Sequence, residues 1–243
     1  MNGAPYSIQN AVSIVTCTKR ADCLHTLFDN YQRQNYKNKE LIVILNDNSL
    51  NLNDYLIEAQ KYPNVRVYQL PARNSLGHCL NYGVRMSKYN YIAKFDDDDY
   101  YATNYLTDSM HTLRTTNADI VGKRAHYMSL SGTNYLLLRY GRMENKYSAI
   151  VQGATLLVRR HVFNRISFPN QNRGECVKFC SDCKAHGFMI YSGNKYNFAA
   201  IRRKNSKDHT WIVSYRKLLA KNVKVLKINN FKKYVSRGSH LIG

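Results

Sequence analysis

The order of its apolar runs constrains this chain more than any other feature. Ala11 to Cys17, Glu40 to Leu45, Val65 to Leu70 and Tyr91 to Phe95 are short, largely apolar and bounded by polar or turn residues, the pattern of buried strands. Helical spacing fills the gaps: Leu24, Leu27, Phe28 and Tyr31; then Asp54 to Tyr62, stopped at Pro63; then Leu76, Leu80, Val84 and Met86. A β-α-β-α-β-α-β order calls for right-handed crossovers and a mainly parallel sheet flanked by helices, an α/β fold. The second half is mixed. Tyr105 to Leu113 is a predicted helix, and Lys123 to Tyr140 a predicted hairpin turning at Ser131-Gly132-Thr133-Asn134. Gly153 to Val158 is expected to be a buried strand, and Cys176 to His186 a helix closed by Gly187. Phe188 to Tyr191 and Phe198 to Ile201 are expected as late strands.

Four consecutive aspartates, Asp96, Asp97, Asp98 and Asp99, stand directly after the fourth apolar run. Neighbouring carboxylates repel by roughly 3 kcal/mol at an effective dielectric of 20. A fold that collects four of them has something positive to hold, and an all-oxygen donor set suits Mg²⁺ or Mn²⁺, above all when the ion also carries phosphate. A solvated acidic loop is the plain alternative. The strand-end position argues against it, because ligands of open α/β sheets collect beyond the carboxyl ends of strands.

The rest of the chain is basic: 36 Lys or Arg against 16 acids in 243 residues, a formal charge of +20. Residues 201–243 alone carry twelve Lys or Arg and a single acid, Asp208. Such a field attracts polyanions, whether nucleic acid, acidic glycan, anionic membrane surface or nucleotide phosphate. We expect one domain over residues 1–215 and a basic amphipathic extension over 216–243, which could pack on the domain, bind a partner or lie on an acidic surface. The N-terminus lacks the pattern of a secretion signal, and no apolar run approaches the roughly 20 residues of a membrane span. A soluble cytoplasmic protein with six reduced cysteines is the expectation.

Taken together, Val12-Ser13-Ile14-Val15, then Glu40-Leu41-Ile42-Val43-Ile44 ending in Asn46-Asp47-Asn48-Ser49, then Tyr91-Ile92-Ala93 leading into Phe95-Asp96-Asp97-Asp98-Asp99, resemble the family 2 glycosyltransferases of GT-A fold over roughly residues 11–211. The resemblance implies a Rossmann-like single domain that takes a nucleotide-diphosphate sugar, UDP-linked by preference, and passes the sugar to a glycan or protein acceptor with Mn²⁺ or Mg²⁺ as cofactor. It implies a base pocket at Thr16, Thr18 and Arg20, with Asp47 accepting a hydrogen bond from the pyrimidine N3–H. The Asp-x-Asp signature falls on Asp96 and Asp98: Asp98 would touch the metal, joined by Asp96, and Asp97 or Asp96 would hold the ribose. The late segment His209-Thr210-Trp211, preceded by Arg202, Arg203 and Lys204, corresponds to the family's pyrophosphate-closing segment. His209 is the expected further metal ligand, and Arg202 or Arg203 the expected phosphate clamp. The Tyr- and Lys-rich version of the pattern is similar to spore-maturation members, implying a place at the forming spore surface.

An inverting transferase needs a carboxylate to take the acceptor proton. The family's Glu-Asp pair falls on Glu175-Cys176, so Glu175, or else Asp182, is the candidate base; with neither in place the protein would only bind nucleotide sugar or glycan. Cys176, Cys180 and Cys183 have the spacing of an iron–sulfur site, but i, i+4, i+7 is equally one apolar face of a helix. Gln152-Gly153-Ala154 corresponds to the small-residue loop beside the sugar, unless Gly153 simply opens a strand. The twenty tyrosines among Lys and Arg raise single-stranded nucleic acid as a rival partner. Most fall in the core pattern and no nucleic-acid motif is visible, which makes nucleic acid the unfavoured reading. Tyr100 and Tyr101 are the pair placed to stack on a sugar or base.

Overall fold

The computed structural model describes residues 10–203 and 222–236. Four strands, β1 (Val12–Thr18), β2 (Lys39–Leu45), β3 (Val65–Gln69) and β4 (Tyr91–Asp96), alternate with three helices, α1 (Leu24–Arg33), α2 (Leu52–Ala59) and α3 (Leu76–Met86). Pairings β1–β2, β2–β3 and β1–β4 are all parallel. α2 begins two residues before the expected Asp54 because Asn51 caps it, accepting the Asn53 N–H at 3.1 Å.

Period-two alternation sends the strand residues to opposite faces. Val12, Ile14, Leu41, Val43 and Phe95 pack with Phe28 and Tyr31 of α1 and Tyr55 of α2, while Val15, Ile42, Ile44 and Ile92 pack with Leu80 and Val84 of α3. The sheet is therefore the middle of three layers.

Beyond the aspartates come β5 (Tyr100–Tyr101), α4 (Tyr105–Thr115), β6 (Ile120–Gly122), the hairpin β7 (His126–Leu130) and β8 (Tyr135–Arg139), then β9 (Lys146–Tyr147), β10 (Leu157–Arg159), α5 (Glu175–Ala185), β11 (Ile190–Ser192) and β12 (Phe198–Arg202). The main sheet runs β3-β2-β1-β4-β10-β6-β11-β9, with β10 antiparallel to both β4 and β6. The expected strand from Gly153 holds only at its end. Gly153–Thr155 is a 3-10 turn, because the Thr155 hydroxyl bonds back to the Gln152 carbonyl at 2.7 Å and accepts the Lys123 N–H at 2.8 Å.

A smaller sheet follows the order β13-β8-β7-β12-β5, where β13 (Val223–Lys227) runs antiparallel along β8. After it, α6 (Phe231–Val235) buries Val235 against Tyr127, Leu136 and Ala199. Residues 222–236 of the expected extension thus lie on the domain. Among the described residues no helix is long and apolar enough to cross a membrane.

His126 is a buried oddity of this smaller sheet. Nδ1 lies 2.9 Å from the Arg124 carbonyl, and Nε2 is buried without a hydrogen-bond partner. Burial pushes its pKa down to about 4. Below the free histidine value the unfolded chain takes up a proton that the folded chain refuses, so stability falls as pH drops from about 6.5 toward 4. The loss is expected to reach about 3 kcal/mol, and urea unfolding of His126→Phe should show a flatter pH dependence across that window. An unchanged slope would assign the acid sensitivity elsewhere.

Candidate active site

The chain runs outward from β1 to β2 to β3, then returns to place β4 on the other side of β1. This reversal opens a crevice at the carboxyl ends of β1 and β4, the usual ligand position in such sheets. Register puts Cys17 beside Asp96, so the β1 exit at Thr18 faces the aspartate turn. The β2 exit joins them, its Asn46 N–H bonding the Thr18 carbonyl at 2.8 Å.

The four carboxylates have four different surroundings. Asp97 is buried and already engaged: it accepts the Thr18 hydroxyl at 2.6 Å and Arg20 Nε at 3.2 Å, and it pairs with Arg20 Nη2. Asp98 Oδ2 takes Arg20 Nη1 at 2.7 Å. Asp99 is buried and turned inward, where Oδ1 accepts the Ile201 N–H of β12 at 2.9 Å. Asp96, whose side chain is 38% exposed, pairs with Lys94 Nζ. Burial and then the Asp97 charge push the Asp98 pKa up to about 6 despite Arg20. Burial and then Asp98 drive Asp99 well above the carboxylate range. Burial works against the Arg20 charge, but Asp97 and Asp98 hold its guanidinium above the ordinary arginine value.

Asp96 and Asp98 are therefore the two carboxylates nearest solvent, beside the two claimed by the fold. Among the described residues no three His, Cys, Asp or Glu side chains cluster as a closed metal cage. Two carboxylates with remaining positions filled by water or phosphate is the way Mg²⁺ is commonly held beside a nucleotide, and the hard oxygen set fits Mn²⁺ or Mg²⁺, although Lys94 and Arg20 already offset the charges of Asp96 and Asp98.

Tyr101 fixes the floor of the turn. It is fully buried, stacks on Phe95 at 3.8 Å, accepts the Asp96 N–H at 2.8 Å and donates to the Ala154 carbonyl at 2.7 Å. The expectation that it stacks on a ligand is corrected: its ring belongs to the core. Tyr100 packs edge-on against Phe231 of α6 instead.

The opposite wall is the 3-10 turn and the start of α5. A Cβ at Gly153 would lie 2.7 Å from Cys176 Cβ, so only glycine lets the turn rest on the helix start. Gly174, at φ 73°, turns the chain into α5 through the left-handed region. Glu175 is then the first helical residue, largely buried, and accepts the Cys176 S–H at 3.2 Å. Burial holds that thiol far above the ordinary cysteine pKa, with the Lys94 ammonium opposing.

Asp182 is not brought to this wall. It sits two turns further along α5, roughly 10 Å from Glu175 by helical rise, and pairs with Lys178 on the outer surface. Cys180 and Cys183 are fully buried in the apolar layer with Phe179, and burial raises their pKa to about 11 and 12. Neutral core thiols match that environment; thiolate ligands do not.

Of the other expected nucleotide contacts, Thr16 is buried on the same strand face as Thr18. Asp47 is partly exposed after β2, its carboxylate held below the usual range by the Ser49 N–H at 2.8 Å and hydroxyl at 2.7 Å. Arg202 ends β12 and is buried. Arg203 reaches back to Asp22 at 2.7 Å and Cys23 Sγ at 2.9 Å, close enough to Arg20 to oppose its charge. The Asp99–Ile201 bond ties the end of β12 to the acidic turn. His209, Thr210, Trp211 and Lys204 lie outside the described residues.

Two participants escaped sequence reasoning. Lys94 looked like an ordinary polar residue within a strand, although a lone lysine in a run buried on both faces signals a counter-charge nearby. Asn30 lies mid-helix yet joins both sides of the turn, donating to the Asp99 carbonyl at 2.8 Å and accepting the Tyr101 N–H at 3.2 Å.

Known proteins resemble this chain in sequence and in fold. An uncharacterized glycosyltransferase of Haemophilus influenzae is 24% identical over 201 residues, covering 78% of this chain and 79% of that protein. TarS 1–349 of S. aureus, solved in complex with UDP-GlcNAc, superposes with a TM-score of 0.65 at 16% identity over 82% of this chain. The chain spans 60% of that TarS structure's length. The mannosyltransferase PcManGT from Pyrobaculum calidifontis, solved with GDP-Man and Mn²⁺, gives a TM-score of 0.62 at 14% identity, covering 82% of this chain and 57% of that one. Both likenesses are of fold, and the fold is the GT-A type that the family resemblance implied. Residues 13–174, most of the described chain, match the family described as Glycosyl transferase family 2, and the protein belongs to that family.

Proposed function

We propose that this protein is a metal-dependent, inverting, hexosyl-type glycosyltransferase. It moves a sugar from a nucleotide-diphosphate donor, UDP-linked by preference, to an acceptor hydroxyl on a glycan or protein in spore-surface or cell-envelope glycan synthesis. One observation carries the reading: Asp96 and Asp98 stand at the β1/β4 crevice beside Thr18 and Arg20, facing a wall that presents Glu175. TarS with UDP-GlcNAc and PcManGT with GDP-Man and Mn²⁺ support it as relatives in fold.

In this reading Thr18, Arg20 and Asp47 orient the nucleotide, while Arg203 lends positive charge to the phosphates. Asp96 and Asp98 would hold the cation, which when bound supplies Lewis-acid stabilisation of the departing diphosphate. Glu175 takes the acceptor proton. It is the first residue of α5 and largely buried.

A second reading, a nucleotide-sugar binder with a degenerate active site, is favoured by Cys176. It occupies the place of an expected acid and spends its proton on Glu175. Thermal denaturation tests the common part. At a hundredfold excess over Kd, UDP with Mn²⁺ should raise the melting temperature by about 5 °C or more. No shift at millimolar ligand overturns both readings.

A further inference from the structure

Lys94 is an unusual residue for the strand it occupies. Its backbone N–H bonds the Leu156 carbonyl at 2.8 Å, and its side chain is only 6% exposed, bordering a small cavity with Val15, Leu80, Leu156 and Phe168. From that apolar bed the ammonium reaches Asp96 Oδ1. The ion pair thus puts a positive charge against Asp96 at the carboxyl end of β4.

Resting on the reading above, we propose that Lys94 is a positioning residue: its buried ammonium holds Asp96 in place and biases the corner toward a metal–diphosphate pair over a bare metal ion. The reason is the sign of the charges. A cation arriving alone at Asp96 meets an ammonium already paired with that carboxylate, and the two repel. A diphosphate is attracted by the same ammonium, and its charge screens ion and lysine from each other. Metal and nucleotide then assist each other's binding, a reciprocal coupling.

The test measures Mn²⁺ alone by electron paramagnetic resonance and UDP alone by calorimetry, on the wild type, Lys94→Met and Lys94→Arg. Lys94→Met should bind Mn²⁺ alone about tenfold more tightly and UDP alone about tenfold more weakly. Lys94→Arg should return both toward wild type. Opposite signs are the signature, since a lysine needed only for packing would weaken both. Affinities that move together, or not at all, overturn the proposal. A wild type that binds neither ligand instead brings down the proposed function, and this inference with it. Should Lys94→Met not fold, Lys94→Gln, whose amide can still bond Asp96, carries the same measurement with the same expected signs.

Discussion

Asp98→Ala should erase the stabilisation by UDP with Mn²⁺ and lower donor turnover by about a thousandfold or more. Asp98 and Asp96 are the less buried carboxylates of the turn, and Arg20 keeps Asp97 when Asp98 is gone. The free protein should tell the opposite story. The Asp98 pKa is raised to about 6, so above that pH its charge costs stability, and the loss accrues as pH rises from the unfolded carboxylate value. Removing the side chain should therefore leave the ligand-free melting temperature at pH 7.5 unchanged or higher, by on the order of 1 kcal/mol in stability. A variant that melts normally and still responds to UDP with Mn²⁺ would take Asp98 out of the ligand site.

Glu175→Gln should separate chemistry from binding. The amide keeps the shape and can still meet Cys176, but it cannot accept the acceptor proton, so turnover should fall about a hundredfold to ten-thousandfold. The thermal response to UDP with Mn²⁺ should survive, because Glu175 stands on the opposite wall from the aspartate turn. Asp182→Asn serves as the internal control: its carboxylate pairs with Lys178 on the surface of α5, and activity should stay near wild type. UDP release at the wild-type rate in Glu175→Gln would move the base elsewhere. A wild type that binds donor yet never releases UDP would select the binder reading.

The legible part of the fold was the part written in local pattern. β1, β2, β3 and β4 are strands whose apolar runs declare themselves, and α1 and α3 follow from spacing alone. Of the strands that went unseen, β5, β6 and β9 are two or three residues long and form where a partner strand passes beside them, while β13 lies in the stretch read as an amphipathic extension and is set by its pairing with β8. The turn at Gly153–Thr155 was misread for a related reason: its residues look apolar enough for a strand, but the bonds that curl it go to Gln152 and Lys123. Tyr101 followed suit, since an aromatic next to an acidic turn looks like a ligand platform until Phe95 is found stacked on it.

By itself the sequence determined the alternation of strands and helices, the fold class that follows, and the placing of four carboxylates at a strand end. These depend on which neighbours a residue has within a few positions, and periodicity records that. Only the tertiary structure decided which carboxylates look outward. Arg20 reaches Asp97 across 77 positions and Asp99 meets Ile201 across 102. Contacts between distant segments leave no periodic trace, because the chain satisfies each charge with whatever the fold brings alongside it.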